Sequence, residues 1–130
     1  MHVIERTNGL HVGPSRLGGR GLFTAGPIAE GTMVTSASVL LIPEADDEHI
    51  RASLLDHYVF DWTPDADTTR YAVALGEISF CNHSARPNCL FVLDRGALCI
   101  RLYAARDLDA GEELTIDYAY EDFPFEVVEG

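Results

Sequence analysis

The chain contains no lysine. All nine basic residues are arginines, set against 21 acidic ones, for a formal net charge of −12 over 130 residues. Phosphate binding needs clustered Lys and Arg, so this balance excludes a direct nucleic-acid surface and favours cationic partners in steering and encounter. Basic residues stop at Arg106, whereas Asp107, Asp109, Glu112, Glu113, Asp117, Glu121, Asp122, Glu126 and Glu129 follow it. Cysteine is scarce as well. Cys81, Cys89 and Cys99 are odd in number and widely spaced, which excludes a CxxC-type zinc site and a complete internal disulfide pairing; reduced, mostly buried thiols are expected. No stretch approaches the ~18 apolar residues that span a bilayer. Residues 1–10 lack an apolar core and carry Glu5 and Arg6, unlike a secretory leader. The expectations are therefore no membrane span, no signal peptide and cytoplasmic residence.

What is present is an ordinary globular mixture, 47% apolar and 23% charged, of a length that fits one domain. Such a domain buries roughly two thirds of its unfolded surface, so one modest core forms without metal or disulfide staples. No repeat or low-complexity tract interrupts it. Gly13-Pro14, Gly18-Gly19, Gly21, Gly26-Pro27 and Gly31 mark frequent turns in the first half. Between the turns, residues 21–24 and 32–42 read as strands, the second as one or two, ended by Pro43. Residues 44–61 carry Ile50, Leu54, Leu55 and Tyr58 at helical spacing behind an acidic start, and predict a helix. Residues 62–69 are polar and turn-rich, and 71–75 predict a short strand. From Cys89 onward the pattern is β, with a hairpin turn at Asp94-Arg95-Gly96, a second turn at Asp109-Ala110-Gly111-Glu112 and a final strand over 114–118. A mostly β domain with one or two short helices follows.

Three local features stand out, and each alone has a bland explanation. Gly19-Arg20-Gly21 is by itself a tight turn; it lacks the third glycine and the helix of a dinucleotide fingerprint. Asn82-His83-Ser84-Ala85-Arg86-Pro87-Asn88 has no GxSxG elbow, and His83 alone reads as a hydrogen-bonded structural histidine. Gly111-Glu112-Glu113-Leu114-Thr115-Ile116-Asp117-Tyr118 alone is a turn and an edge strand.

Together and in this order they resemble the SET-domain family of protein lysine methyltransferases. Its signature is a GxG near the N-terminus, an NHS-x-x-PN block and a GEELT-x-x-Y strand. Ile28-Ala29-Glu30-Gly31 and Ala72-Val73-Ala74-Leu75-Gly76 also look like the family, so the likeness runs over about residues 15–122 of a single domain spanning 1–130. The resemblance implies a β-clip-like fold of short sheets with a C-terminal pseudoknot that joins the NHS block to the tyrosine strand. It also implies S-adenosyl-L-methionine as cofactor, meeting a substrate lysine through a narrow channel. Among the consequences, a lysine methyltransferase without lysine could not methylate itself.

On that likeness, Tyr118 is the catalytic phenol and also touches cofactor. Asn82 and His83 anchor the cofactor, while Gly19, Arg20 and Gly21 present main chain to it. The acceptor lysine must lose its proton, at roughly 4–5 kcal/mol from a pKa near 10.4; an apolar channel beside a positive sulfonium supplies that shift. Substrate-channel residues implied by the pattern are Tyr58, Phe91, Ile116, Tyr120, Phe123 and Phe125. Ile116 stands where the family often has an aromatic gate, and Phe91 has no hydroxyl to hold a water, so more than one methyl per lysine is expected.

The sequence departs from the family in two places. Residues 36–41 replace a tyrosine-containing segment, which leaves Tyr58 to fill that space. No cysteine clusters flank the domain, so no metal is expected, and the lid over 119–130 is left to Tyr120, Phe123 and Phe125 or to the second subunit of a homodimer. The expected partner is a basic, histone-like, lysine-containing protein drawn to the acidic C-terminal stretch. The competing expectation is a non-catalytic SET-like module that binds S-adenosylmethionine or peptide without turnover.

Overall fold

The computed structural model describes residues 9–62 and 71–118. Nine strands build two sheets. The first contains β1 (Leu10–Pro14), β2 (Arg20–Thr24), β9 (Glu113–Ile116) and β6 (Asn82–His83), in the order β1-β2-β9-β6. The second contains β4 (Val59–Asp61), β5 (Tyr71–Ala74), β3 (Met33–Ile42), β8 (Cys99–Ala104) and β7 (Cys89–Asp94), in the order β4-β5-β3-β8-β7.

Side-chain alternation explains the second sheet. Along β3, Val34, Ala37 and Val39 are buried while Ser36, Ser38 and Leu40 face outward, a period-two pattern on a half-covered sheet. A register shift between Met33 and Thr35 bends its start, and Pro43, which has no amide proton to extend the ladder, follows its end. Leu22, Ile78, Ile100, Leu102, Leu108, Leu114 and Ile116 are fully buried and join both sheets in one core. The expected hairpin turn is present: Asp94 accepts from the Ala97 amide at 2.9 Å and pairs with Arg101 at 2.7 Å. The turn extends to Leu98, whose φ of +54° places a non-glycine residue in the left-handed region. All three cysteines are free thiols, Cys81 and Cys89 buried and Cys99 partly exposed.

The helix expected over 44–61 is a correction. The segment holds a 3₁₀ turn at Glu44–Asp46, a single helical turn α1 (Asp47–Arg51), a second 3₁₀ turn at Leu54–His57, and then β4. Ser53 ends α1 because its hydroxyl donates to the Ile50 carbonyl and accepts from the Leu55 amide, displacing the helical ladder. The apolar spacing that suggested one buried face does not make one: Ile50 is buried, but Leu54 is 71% exposed. Among the described residues no helix is long and apolar enough to cross a membrane. Most of the turn-rich stretch expected at 62–69 and the expected lid at 119–130 lie outside the described residues.

The insertion of β9 positions everything that follows. Although β2 and β6 come far earlier in the chain, β9 lies between them, antiparallel to β2 through Leu22 and Phe23 and parallel to β6 through Asn82 and His83. The last strand is thus captured between two earlier segments, the knot-like arrangement that the family resemblance implied.

Candidate active site

Asn88, the last residue of the NHS-x-x-PN block, explains how β9 is held. Its side-chain oxygen accepts from the Thr115 amide and its nitrogen donates to the Glu113 carbonyl, both at 2.8 Å, so one carboxamide imitates a strand partner. The Asn88 amide also donates to the Thr115 hydroxyl at 3.2 Å. Asn88 and Thr115 are buried, and these bonds satisfy the polar groups they bring inside.

With β9 fixed, the chain delivers Tyr118 beside the NHS block. The Tyr118 amide donates to Nδ1 of His83 at 3.1 Å, and its hydroxyl donates to the Cys81 carbonyl at 2.8 Å. The first bond requires an unprotonated Nδ1, with Asp117 at 3.8 Å beside it. Burial pushes the Tyr118 phenol above its usual pKa, with Cys81 and Tyr58 acting in the same direction, so it is a hydrogen-bond donor at neutral pH. Burial likewise raises the Cys81 thiol and takes Cys89 up to about 12, which makes both poor nucleophiles.

One flank of Tyr118 faces a cavity of about 250 Å³, smaller than the ~300–1,000 Å³ of drug-sized ligand sites and suited to a side chain. Tyr58, Phe60, Tyr71 and Phe91 form aromatic walls, and Asp56 and Asp61 place exposed carboxylates on its lining. Phe91 packs edge-on against Phe60 at 5.4 Å, and Tyr58 against Phe80 at 5.7 Å. Tyr58, Phe91 and Tyr118 therefore meet as expected. Ile116 does not: it is fully buried in the core and is not among the lining residues, because on β9 it shares the core face with Leu114, two positions away. Tyr71, on β5, lines the cavity and had no motif to announce it.

On the other side of the NHS block lies the glycine turn. Gly18 and Gly19 have φ of +125° and +55°, where side chains are strained, and a Cβ at either would meet nothing within 4 Å, so their main chain is open to approach. Gly21 is glycine for a different reason. A Cβ there would lie 2.9 Å from Glu113 Cδ and 3.0 Å from Asn82 Nδ2, so the close approach expected for cofactor at this position is made instead by the protein's own side chains. The Arg20 guanidinium lies 4.8 Å over the Phe80 ring, which gives its side chain a packing role. Asn82 Nδ2 donates to the Arg20 carbonyl at 3.2 Å, joining the turn to the NHS block. Glycine turn, Asn82, His83 and Tyr118 are thus one continuous surface. Tyr120, Phe123 and Phe125 lie outside the described residues. Among the described residues no group of three or more His, Cys, Asp or Glu could hold a metal ion.

The SET domain family model matches residues 19–119, and the chain belongs to that family. It is 37% identical over 123 residues to a histone-lysine N-methyltransferase, H3 lysine-4 specific, of Schizosaccharomyces pombe, a match covering 88% of this chain and 13% of the relative. An H3 lysine-37 specific enzyme of the same organism is 30% identical over 101 residues, covering 77% of this chain and 66% of the relative. The chain thus spans 13% and 66% of the length of these relatives. A solved Plasmodium falciparum protein assigned as a histone methyltransferase superposes with a TM-score of 0.64 at 19% identity, over 84% of this chain and 96% of that one, and shows the shared fold.

Proposed function

We propose that the chain is a protein-lysine N-methyltransferase. In this proposal it uses S-adenosylmethionine to methylate the ε-amine of a basic protein substrate and adds more than one methyl. The observation that carries the proposal is that Tyr118, which lines a side-chain-sized aromatic cavity, bonds Cys81 and His83 on either side of Asn82, whose carboxamide holds the glycine turn.

The residues suit the cofactor chemically. The Asn82 carboxamide nitrogen donates to the Ser15 hydroxyl, the Arg20 carbonyl and the Glu113 carboxylate, which leaves the oxygen as the acceptor it can offer an ammonium. The open main chain at Gly18 and Gly19 supplies further polar groups at close range. When bound, S-adenosylmethionine supplies a methyl group carried on a positive sulfonium.

The chain's own residues do the rest. Loss of water contact inside the cavity disfavours an ammonium, and the positive sulfonium of bound cofactor would disfavour it further, so a lysine entering there shifts toward its neutral, nucleophilic form. Tyr118 is rigid because His83 holds its amide and Cys81 its hydroxyl, and a preorganised phenol dipole needs no reorganisation as charge develops. Phe91 brings no hydroxyl to the wall to hold a water beside the amine, which favours room for a methylated amine. Asp56 and Asp61 on the lining favour a cationic segment around the target lysine.

The test is transfer of labelled methyl from S-adenosylmethionine to a lysine-rich proteome, with the modified sites mapped by mass spectrometry. Label on lysine with wild type and none with Tyr118→Phe supports the proposal. Cofactor binding with no transfer to any protein would leave a binding module.

A further inference from the structure

The glycine turn, the NHS block and β9 meet at one carboxylate that the reaction itself does not need. Glu113 accepts from the Ser15 hydroxyl at 2.8 Å and from Asn82 Nδ2 at 2.8 Å. Ser15 in turn accepts from Asn82 Nδ2 at 3.1 Å and from the Leu17 amide at 2.9 Å, and its own amide closes the turn onto the Gly19 carbonyl at 3.0 Å. Gly21 lacks the Cβ that would collide with the Glu113 carboxylate. A position kept empty for a carboxylate, and a hydroxyl spent on holding it, are two independent signs that Glu113 is placed rather than merely solvated.

We propose that Glu113 is a positioning residue for cofactor binding, acting through Asn82. An ionised carboxylate only accepts hydrogen bonds. The Asn82 carboxamide must therefore turn its nitrogen toward Glu113, Ser15 and Arg20, which leaves its oxygen as the acceptor offered to a ligand's ammonium. Charge-assisted bonds of this kind are stronger than neutral ones and fix one of the two otherwise similar orientations of an amide. Ser15 completes the clamp and ties the same carboxylate to the turn that carries Gly18 and Gly19. What Asn82 binds rests on the methyltransferase function proposed above; the clamp itself rests on the geometry alone.

The experiment compares wild type, Glu113→Gln and Ser15→Ala. Glu113→Gln keeps the shape but offers an NH₂ group where only acceptors fit. Calorimetry with S-adenosylmethionine should show roughly tenfold weaker binding for Glu113→Gln and a smaller loss for Ser15→Ala. The substrate KM, and kcat at saturating cofactor, should stay within about twofold, a split that general loosening of the fold would not give. In the protein without ligand, the side-chain amide resonances of Asn82 should shift in both variants. Ser15→Ala keeps the test open if Glu113→Gln folds poorly. Wild type that binds cofactor while both variants bind it equally, or Asn82 resonances that do not move, overturns the inference and leaves the methyltransferase proposal standing. Wild type that binds no S-adenosylmethionine overturns both.

Discussion

The hydroxyl of Tyr118 rests on the Cys81 carbonyl at 2.8 Å while its amide rests on Nδ1 of His83 at 3.1 Å. Residues 81 and 83 thus hold the phenol at its two ends, and strand β6 aims it. Tyr118→Phe keeps the ring, so the cavity wall and the amide bond survive. The expected outcome is a fall in kcat of about 10²–10³-fold, with cofactor affinity changed less than about twofold. Single-turnover kinetics beside calorimetry measure both.

Gly21→Ala places a methyl group against Glu113 and Asn82. Both obstructing side chains are tied to each other and to Ser15, so the clash should cost about 1–3 kcal/mol of stability and weaken cofactor binding. In a Glu113→Ala background the same substitution should cost less, because the obstructing group is gone. A double-mutant cycle by urea unfolding reads the coupling, expected within about 0.5–3 kcal/mol; strict additivity would count against a shared contact.

Phe91 is 3% exposed on the cavity wall and has no hydroxyl to anchor a water or an amine. Wild type should therefore carry a good substrate to di- or trimethyl-lysine, and Phe91→Tyr should shift the product toward monomethyl-lysine. Intact-mass analysis over a time course decides it. A wild-type product that stops at one methyl refutes the expectation.

Raising salt should separate the two ligands. With Asp56 and Asp61 on the cavity lining and a net charge of −12, a cationic peptide gains much of its encounter rate from screened attraction. Going from about 0.05 to 0.5 M salt shortens the Debye length roughly threefold. The peptide KM should rise several-fold and the cofactor Kd much less; equal sensitivity of both would remove the acidic rim from the account.

Buried acids predict the alkaline limit. In the folded chain Cys89 titrates at about 12 instead of 9.0, chiefly through burial, and Cys81 is raised for the same reason. The folded chain then holds protons that the unfolded chain releases above pH 9, so stability from Cys89 is complete below pH 9 and lost as pH rises toward 12. The loss approaches about 1.4 kcal/mol per pH unit for the thiol. Urea midpoints at pH 8, 9.5 and 11 should fall in that order, and Cys89→Ala should flatten the decline while lowering the starting value.

Much of this molecule is legible in order and spacing. Gly19-Arg20-Gly21, Asn82-His83 with Asn88, and Tyr118 name the family because each needs a residue type that few others can replace: open backbone, a carboxamide, a phenol. A run rich in Val, Thr and Ser announced β3, apolar runs on either side of a turn announced β7 and β8, and Gly-containing turns lay beside them. The short strands β1, β4 and β6 were not legible, since two to five residues carry too little pattern. The helix over 44–61 failed because Ser53 captures two backbone groups, a local competition that apolar spacing does not register.

By itself the sequence determined the chemistry on offer: a phenol, an amide, an imidazole, open glycines, no lysine and an acidic surface. Only the tertiary structure decided which of these meet. β9 lies between strands that precede it by some thirty to ninety residues, and such non-local pairing leaves no period in the chain. The same capture sends Ile116 into the core rather than to the cavity and explains Gly21 by a carboxylate 92 positions later in the sequence, while pairing of β5 with β3 and β4 in the other sheet brings Tyr71 to the cavity wall.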